Sequence, residues 1–175
     1  MAEAPKLTTD RLILRLHKPS DLLDMQALWS APEVVKYIGA RPLDRESIWK
    51  RILMYRGLWA TLGFGYWVIT DRTTGEFLGE AGFADFQRQI KPSIEGLPEA
   101  GWALLPKAFG KGIATEAIQC MLHWLKQNID TKQSVCLISP DNLASIRVAE
   151  RCGFEYLTQT LYMDSPSLLY SQIIR

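Results

Sequence analysis

The chain has 175 residues, 47% of them hydrophobic and 22% charged, and one domain of that size buries roughly 70% of its unfolded surface without help from disulfides or metals. Lys and Arg number 20 against 19 Asp and Glu, a net charge of +1, which gives no electrostatic case for nucleic acid or an anionic membrane as the main partner. The three cysteines, Cys120, Cys136 and Cys152, are odd in number and none belongs to a CxxC pair, so neither a disulfide framework nor a metal site is expected.

Met1 to Asp10 carries no apolar run or cleavage-like site, so no signal peptide is expected. The longest uncharged stretch, Gly57 to Thr70, falls short of the ~20 residues a membrane span needs, and the expected location is the cytoplasm. Leu12 to Leu16 reads as a first strand. Pro19-Ser20-Asp21 offers a helix start with Ser20 as cap; Leu22, Met25, Leu28 and Trp29 follow at helical spacing until Ala31-Pro32 ends the helix. A second helix begins near Asp44, carries Ile48, Ile52, Tyr55 and Trp59 on one stripe, and stops before Gly63. Tyr66 to Thr70 and Phe77 to Phe83 form a hairpin closed by Asp71 to Gly75. Arg88 to Pro98, with two prolines and a glycine, is a loop. Glu99 to Leu105 is a strand, Ile113 to Gln127 a helix, Val135 to Ile138 a buried strand and Leu143 to Cys152 a helix ended by Gly153. Phe154 to Thr158 and Leu168 to Ile174 close the fold. The order β-α-α-β-β-β-α-β-α-β-β predicts a single α/β (α+β) domain over residues 1–175: a mixed, mostly antiparallel twisted sheet with helices on both faces and a late βαβ unit.

Chemistry concentrates between Glu99 and Glu116. Here a strand runs through Pro106, Gly110, Lys111 and Gly112 into a helix. Glycines let the backbone approach an anion closely, and the free N–H groups and dipole of the helix start favour phosphate. A Walker A loop needs Ser or Thr after Gly-Lys, and a dinucleotide fingerprint needs a third glycine at Thr115; neither holds. Two glycines alone fit a structural turn better than a ligand site.

Three segments taken together narrow the choice. Lys107-x-x-Gly110-x-Gly112-x-Ala114 resembles the acetyl-CoA loop of the GNAT N-acetyltransferase superfamily, with Lys107 where Gln or Arg is usual. Trp102-x-Leu104-x-Pro106 followed by Gly110 to Ala117 is similar to the RimJ/RimL-type branch. So are Leu7-Thr8-Thr9-Asp10-Arg11-Leu12-x-Leu14-Arg15 and Asn142-x-x-Ser145-x-x-Val148 with Gly153-Phe154. The resemblance implies a GNAT-like fold and transfer of an acetyl group from acetyl-CoA, as co-substrate, to a primary amine by direct attack in a ternary complex. It implies that the backbone of Phe109, Gly110, Lys111, Gly112, Ile113 and Ala114 cradles the pyrophosphate, that Leu104 pairs with the pantetheine amide as an added strand does, and that Asn142 bonds the pantetheine arm; Asn142 also fits helix capping.

An ammonium acceptor must lose a proton, which a carboxylate in a partly dry site can take. Glu99 is the first candidate, Glu80 the second and Asp85 a weaker third; taken alone, Glu99 and Glu80 each read more readily as a solvated strand residue. Many members of the superfamily place a tyrosine acid where this chain has Ala149. Ser145 is the hydroxyl left to serve the departing thiolate. His17 and His123 read as structural, and Cys136 as a buried thiol. The acceptor, a protein N-terminus or a small amine, is expected to meet Trp29 to Gly39 and Arg88 to Pro98, with Tyr37 and the tryptophans nearby. The alternative is a non-catalytic acyl-CoA-binding sensor or structural protein. A homodimer is compatible with the sequence.

Overall fold

The computed structural model describes residues 4–39 and 41–174. It begins with two short strands, β1 (Leu7–Thr8) and β2 (Leu12–Arg15), before α1 (Leu22–Ser30). Ser20 does not cap α1. It lies in the 3-10 turn Pro19–Asp21, where the Asp21 carboxylate accepts the Lys18 N–H at 2.7 Å and is gripped by Arg15 at 2.8 and 2.9 Å. A short helix α2 (Pro32–Val35), absent from the sequence expectation, follows directly because Pro32 takes a first-turn position. Asp44 caps α3 (Arg45–Leu62) through the Ser47 N–H at 2.7 Å, and Gly63 ends it in the left-handed conformation with φ 75°.

Strands β3 (Tyr66–Asp71), β4 (Phe77–Ala84) and β5 (Glu99–Leu104) form an antiparallel meander. Helix α4 (Ile113–Asn128) then crosses to β6 (Gln133–Ile138), which runs parallel to β5. Helix α5 (Leu143–Arg151) leads into the hairpin of β7 (Glu155–Tyr162) and β8 (Ser165–Ile173). The eight strands make one sheet, in the order β1-β2-β3-β4-β5-β6-β8-β7. The β5–β6 pair is its parallel step, so the expected late βαβ unit is present.

Alternation along the strands assigns the two faces. Leu12, Leu14, Trp67, Ile69 and Phe83 pack with Ile113, Ala117, Met121 and Leu125 of α4 and with Ala149 of α5. Trp59 reaches this core from the end of α3, edge-on to Trp67 and Trp124 at centroid distances of 4.6 and 5.3 Å. The opposite face buries Val68, Phe77, Ala84 and Ala103 under Met25, Leu28, Val34, Ile48, Ile52 and Tyr55 of α1 to α3. Helices on both faces bury the middle of the sheet, which accounts for the unbroken burial along β4.

Candidate active site

Parallel pairing of β5 and β6 is confined to their starts. Glu99 faces Val135, and the Val135 N–H donates to the Pro98 carbonyl at 3.1 Å. Beyond that point the strands part, and the free edge of β5 borders a cavity of about 420 Å3. Trp102, Ala103 and Leu104 line it from β5, and Phe109, Gly110, Gly112, Ile113, Ala114 and Thr115 from the loop and the start of α4. Asn142, Ser145, Arg147, Val148 and Arg151 line it from α5, while Glu33, Val34, Tyr37 and Ile38 close it from α2 and the turn after it.

The chemistry of this wall follows from two backbone conformations. Gly110 and Gly112 have φ of 70° and 74°, a region that a Cβ disfavours. Gly112 is also the residue that caps α4, and it brings no side chain to the first-turn N–H groups. Those donors stay unsatisfied from within the helix and lie at the positive end of a 16-residue dipole. An uncapped helix start on a concave surface is an anion site. At the facing helix, Arg147 and Arg151 stand one turn apart on the cavity wall, on a stripe with Ala144 and Val148. Sequence reading passed over this pair, although its i, i+4 spacing next to Asn142 was visible.

Asn142 caps α5: its Oδ1 accepts the Ser145 N–H at 3.1 Å. It lines the cavity as well, so the two sequence readings of this residue are compatible. Lys111 does not line the cavity. Its carbonyl instead accepts the Arg11 guanidinium at 2.9 Å.

The carboxylates fall into separate settings. Glu99 is 8% exposed and bound bidentately by Arg88, at 2.7 and 3.0 Å. Burial raises its pKa above the ordinary glutamate value; the hydrogen bonds and charge of Arg88 oppose that shift but do not cancel it. The Arg88 guanidinium also lies over the rings of Phe86 and Tyr162, at 4.7 and 4.3 Å. Glu80 is turned under α3 and is 1% exposed. Its oxygens meet the Tyr55 hydroxyl at 2.8 Å and His17 Nε2 at 3.2 Å, while Arg51 donates to the Tyr55 oxygen at 2.9 Å. This buried network makes Glu80 an interior tie; neither Glu80 nor Glu99 is among the residues that line the cavity. Asp85 closes its own loop, accepting from the Gln87 and Gly96 N–H groups at 3.1 and 3.0 Å.

Tyr66 lies between the two glutamates. Its ring stacks on Tyr55 at 4.3 Å, and its hydroxyl occupies the space a side chain at Gly101 would fill, 2.1 Å from where that Cβ would stand. Burial, then Glu99 and Glu80, push its pKa far above the usual phenol value, so it stays a donor. His17 is fully buried and His123 lies on the exposed side of α4. Burial drives the Cys136 thiol well above its usual range and the Cys152 thiol to about 11, so neither is a ready nucleophile. Among the described residues no cluster of three potential metal ligands occurs, and no described helix is long and apolar enough to cross a membrane.

A sheet that splays at its parallel step, over a glycine-capped helix start, suits an extended ligand anchored by phosphate. Residues 11–155 match the acetyltransferase (GNAT) domain, and the chain belongs to that family. It is similar to the uncharacterized protein YkkB of Bacillus subtilis (strain 168), with 28% identity over 168 residues covering 95% of each chain. It is also similar to a GnaT-family acetyltransferase structure from Bordetella pertussis, with 30% identity, a TM-score of 0.86 and coverage of 97% of this chain and 99% of that one. At 18% identity and a TM-score of 0.77, over 97% of this chain and 98% of the other, it shares the fold of RimL, a ribosomal L7/L12 alpha-N-protein acetyltransferase solved with coenzyme A. The protein is an acyltransferase of this family.

Proposed function

We propose that the protein transfers the acetyl group of acetyl-CoA to a primary amine by direct attack in a ternary complex, as a member of the RimJ/RimL-type branch. The observation that carries the donor half is the uncapped start of α4 at Gly112, opening onto a cavity bounded by the free edge of β5. The N–H groups from Gly110 to Ala114 hold the pyrophosphate; that of Phe109, expected among them, instead donates to the Pro106 carbonyl at 3.0 Å. The edge of β5 at Leu104 pairs with the pantetheine amides as an added strand, and Asn142 meets the same arm.

Glu99 is the proposed base. It stands at the apex of the splay, where β5 last pairs with β6, and burial raises its pKa toward the range in which a carboxylate accepts a proton from an ammonium. Arg88, from the loop between β4 and β5, holds both its oxygens, so an arriving amine competes with one side chain for the carboxylate. Glu80 is proposed to position Tyr55 and, through the stack, Tyr66. The Ser145 hydroxyl, on the cavity wall, serves the thiolate leaving group, which is acidic enough to need little help.

The acceptor is a protein N-terminus or a small amine, met by the wall formed from Glu33, Tyr37 and Ile38. Thiol release from acetyl-CoA, followed across a panel of peptides and small amines, tests the reading. Amine-dependent release above background is the expected result. CoA binding with no turnover on any acceptor would make the chain a non-catalytic acyl-CoA sensor instead.

A further inference from the structure

The segment Thr9-Asp10-Arg11 lies far in sequence from the loop at Gly110, yet its polar atoms converge on the start of α4. The Thr9 hydroxyl donates to Glu116 Oε1 at 2.6 Å, and the Arg11 N–H donates to the same oxygen at 3.1 Å. Arg11 Nε reaches Glu116 Oε2 at 2.6 Å, and a second guanidinium nitrogen forms the ion pair with that oxygen at 2.6 Å. The third nitrogen donates to the Lys111 carbonyl at 2.9 Å. The guanidinium passes 3.5 Å from the position a Cβ on Gly112 would occupy. The segment is itself tied down: Thr9 Oγ1 accepts the Leu12 N–H at 2.9 Å, and Arg72 donates to the Thr9 carbonyl at 2.9 Å.

Two consequences follow. The Lys111 peptide joins the two left-handed glycines, so a hydrogen bond to its carbonyl fixes the orientation of the loop where glycine would otherwise leave it free. Glu116 lies in the first turn of α4, so its charge stands near any anion bound at the helix start and repels it unless neutralised.

We propose that Arg11, held by Thr9, is a positioning residue for the acetyl-CoA loop: it locks the Lys111 carbonyl and neutralises Glu116 so that Gly110 to Ala114 accept a pyrophosphate. The inference rests on the donor site proposed above. It assigns a task to the opening segment that the fold does not require, because Arg11 is half exposed and its ion pair sits at the surface, where such pairs contribute little to stability.

The test compares CoA with pantetheine, which lacks the pyrophosphate, on the full-length protein by calorimetric or NMR titration. In Arg11→Ala, affinity for CoA falls about tenfold, the scale of one lost charge-assisted hydrogen bond, while pantetheine affinity changes less than about twofold. Thr9→Val, which keeps the shape of the side chain, shows the same pattern at about threefold and stands in if Arg11→Ala fails to fold. An Arg11→Ala protein that retains the wild-type preference for CoA over pantetheine overturns the proposal. So does an equal loss for both ligands, which would mark general damage to the cavity. A wild-type protein that binds CoA no better than pantetheine overturns the reading of the loop itself, and the two failures are thereby distinguishable.

Discussion

Replacing Arg88 by methionine keeps most of the apolar stem and takes the guanidinium away from Glu99 and from the rings of Phe86 and Tyr162. The pair is mostly buried, with side chains 18% and 8% exposed, and its two hydrogen bonds are 2.7 and 3.0 Å long. Removing one partner of a buried pair costs about 3–5 kcal/mol, because the remaining charge is stranded. The residual exposure of Arg88 places this case at the lower end, about 3 kcal/mol, or a fall in Tm of about 6 to 12 °C for a chain of this length. The sign of the pH dependence follows from the Glu99 pKa, which burial raises and Arg88 partly restores. A carboxyl whose folded pKa exceeds its unfolded one binds more protons when folded, so its contribution is fully present at low pH and is lost as pH rises through the folded value. Without Arg88 the folded pKa climbs further, and the stability deficit of the variant is greatest at pH 8 and shrinks toward pH 5. Urea denaturation of both proteins at the two pH values measures this. A deficit that is the same at pH 5 and pH 8, or below about 1 kcal/mol at pH 8, would refute the view that Arg88 neutralises a buried carboxylate.

Other outcomes follow from the same geometry. Glu99→Gln lowers kcat/KM by about a hundredfold or more and removes the acidic limb of its pH profile, read by thiol release; an unchanged profile rules Glu99 out as the base. Gly112→Val places a β-branched residue at φ 74°, so CoA affinity is lost while circular dichroism shows a retained fold; normal affinity would count against the loop as the phosphate site. Gly101→Ala sets a Cβ 2.1 Å from the Tyr66 hydroxyl, which forces the ring off Tyr55. A near-ultraviolet spectrum unchanged from wild type would show that the stack is not so constrained.

The legible parts of the fold share one property: the signal and the structure lie within a few residues of each other. The stripe of Ile48, Ile52, Tyr55 and Trp59, the Asp44 cap and the Gly63 stop are all local, and they delimit α3 to the residue. What escaped depends on distant partners. Strand β1 is two residues long and exists because Leu7 and Thr8 pair with Leu14 and Ile13. Asp21 displaced Ser20 as the anchor before α1 because Arg15 on β2 reaches it. Strand β7 extends to Tyr162 because β8 supplies partners beyond Thr158.

The same division runs through the site. A phosphate cradle is a matter of backbone conformation, and two glycines before a helix announce it; whether it faces a cavity depends on β5 and β6 parting, which no local spacing records. The carboxylates are harder, since alternation puts Glu80 and Glu99 on the same face of the sheet. Register separates them. Glu80 pairs with Ala103 and Glu99 with Ala84, so the two stand four residues apart along β5, about 13 Å at the rise of a strand. That offset carries Glu80 beneath α3, where Tyr55 and His17 claim its oxygens. It leaves Glu99 at the end of β5, within reach of one arginine from a loop. Two residues equivalent by type and by face thus acquire different chemistry from the parts of the chain that lie over them. One is fixed in the interior by Tyr55 of α3 and by His17 from the segment after β2. The other is bound by one arginine from a loop, and that difference is the physical ground for proposing Glu99 as the base.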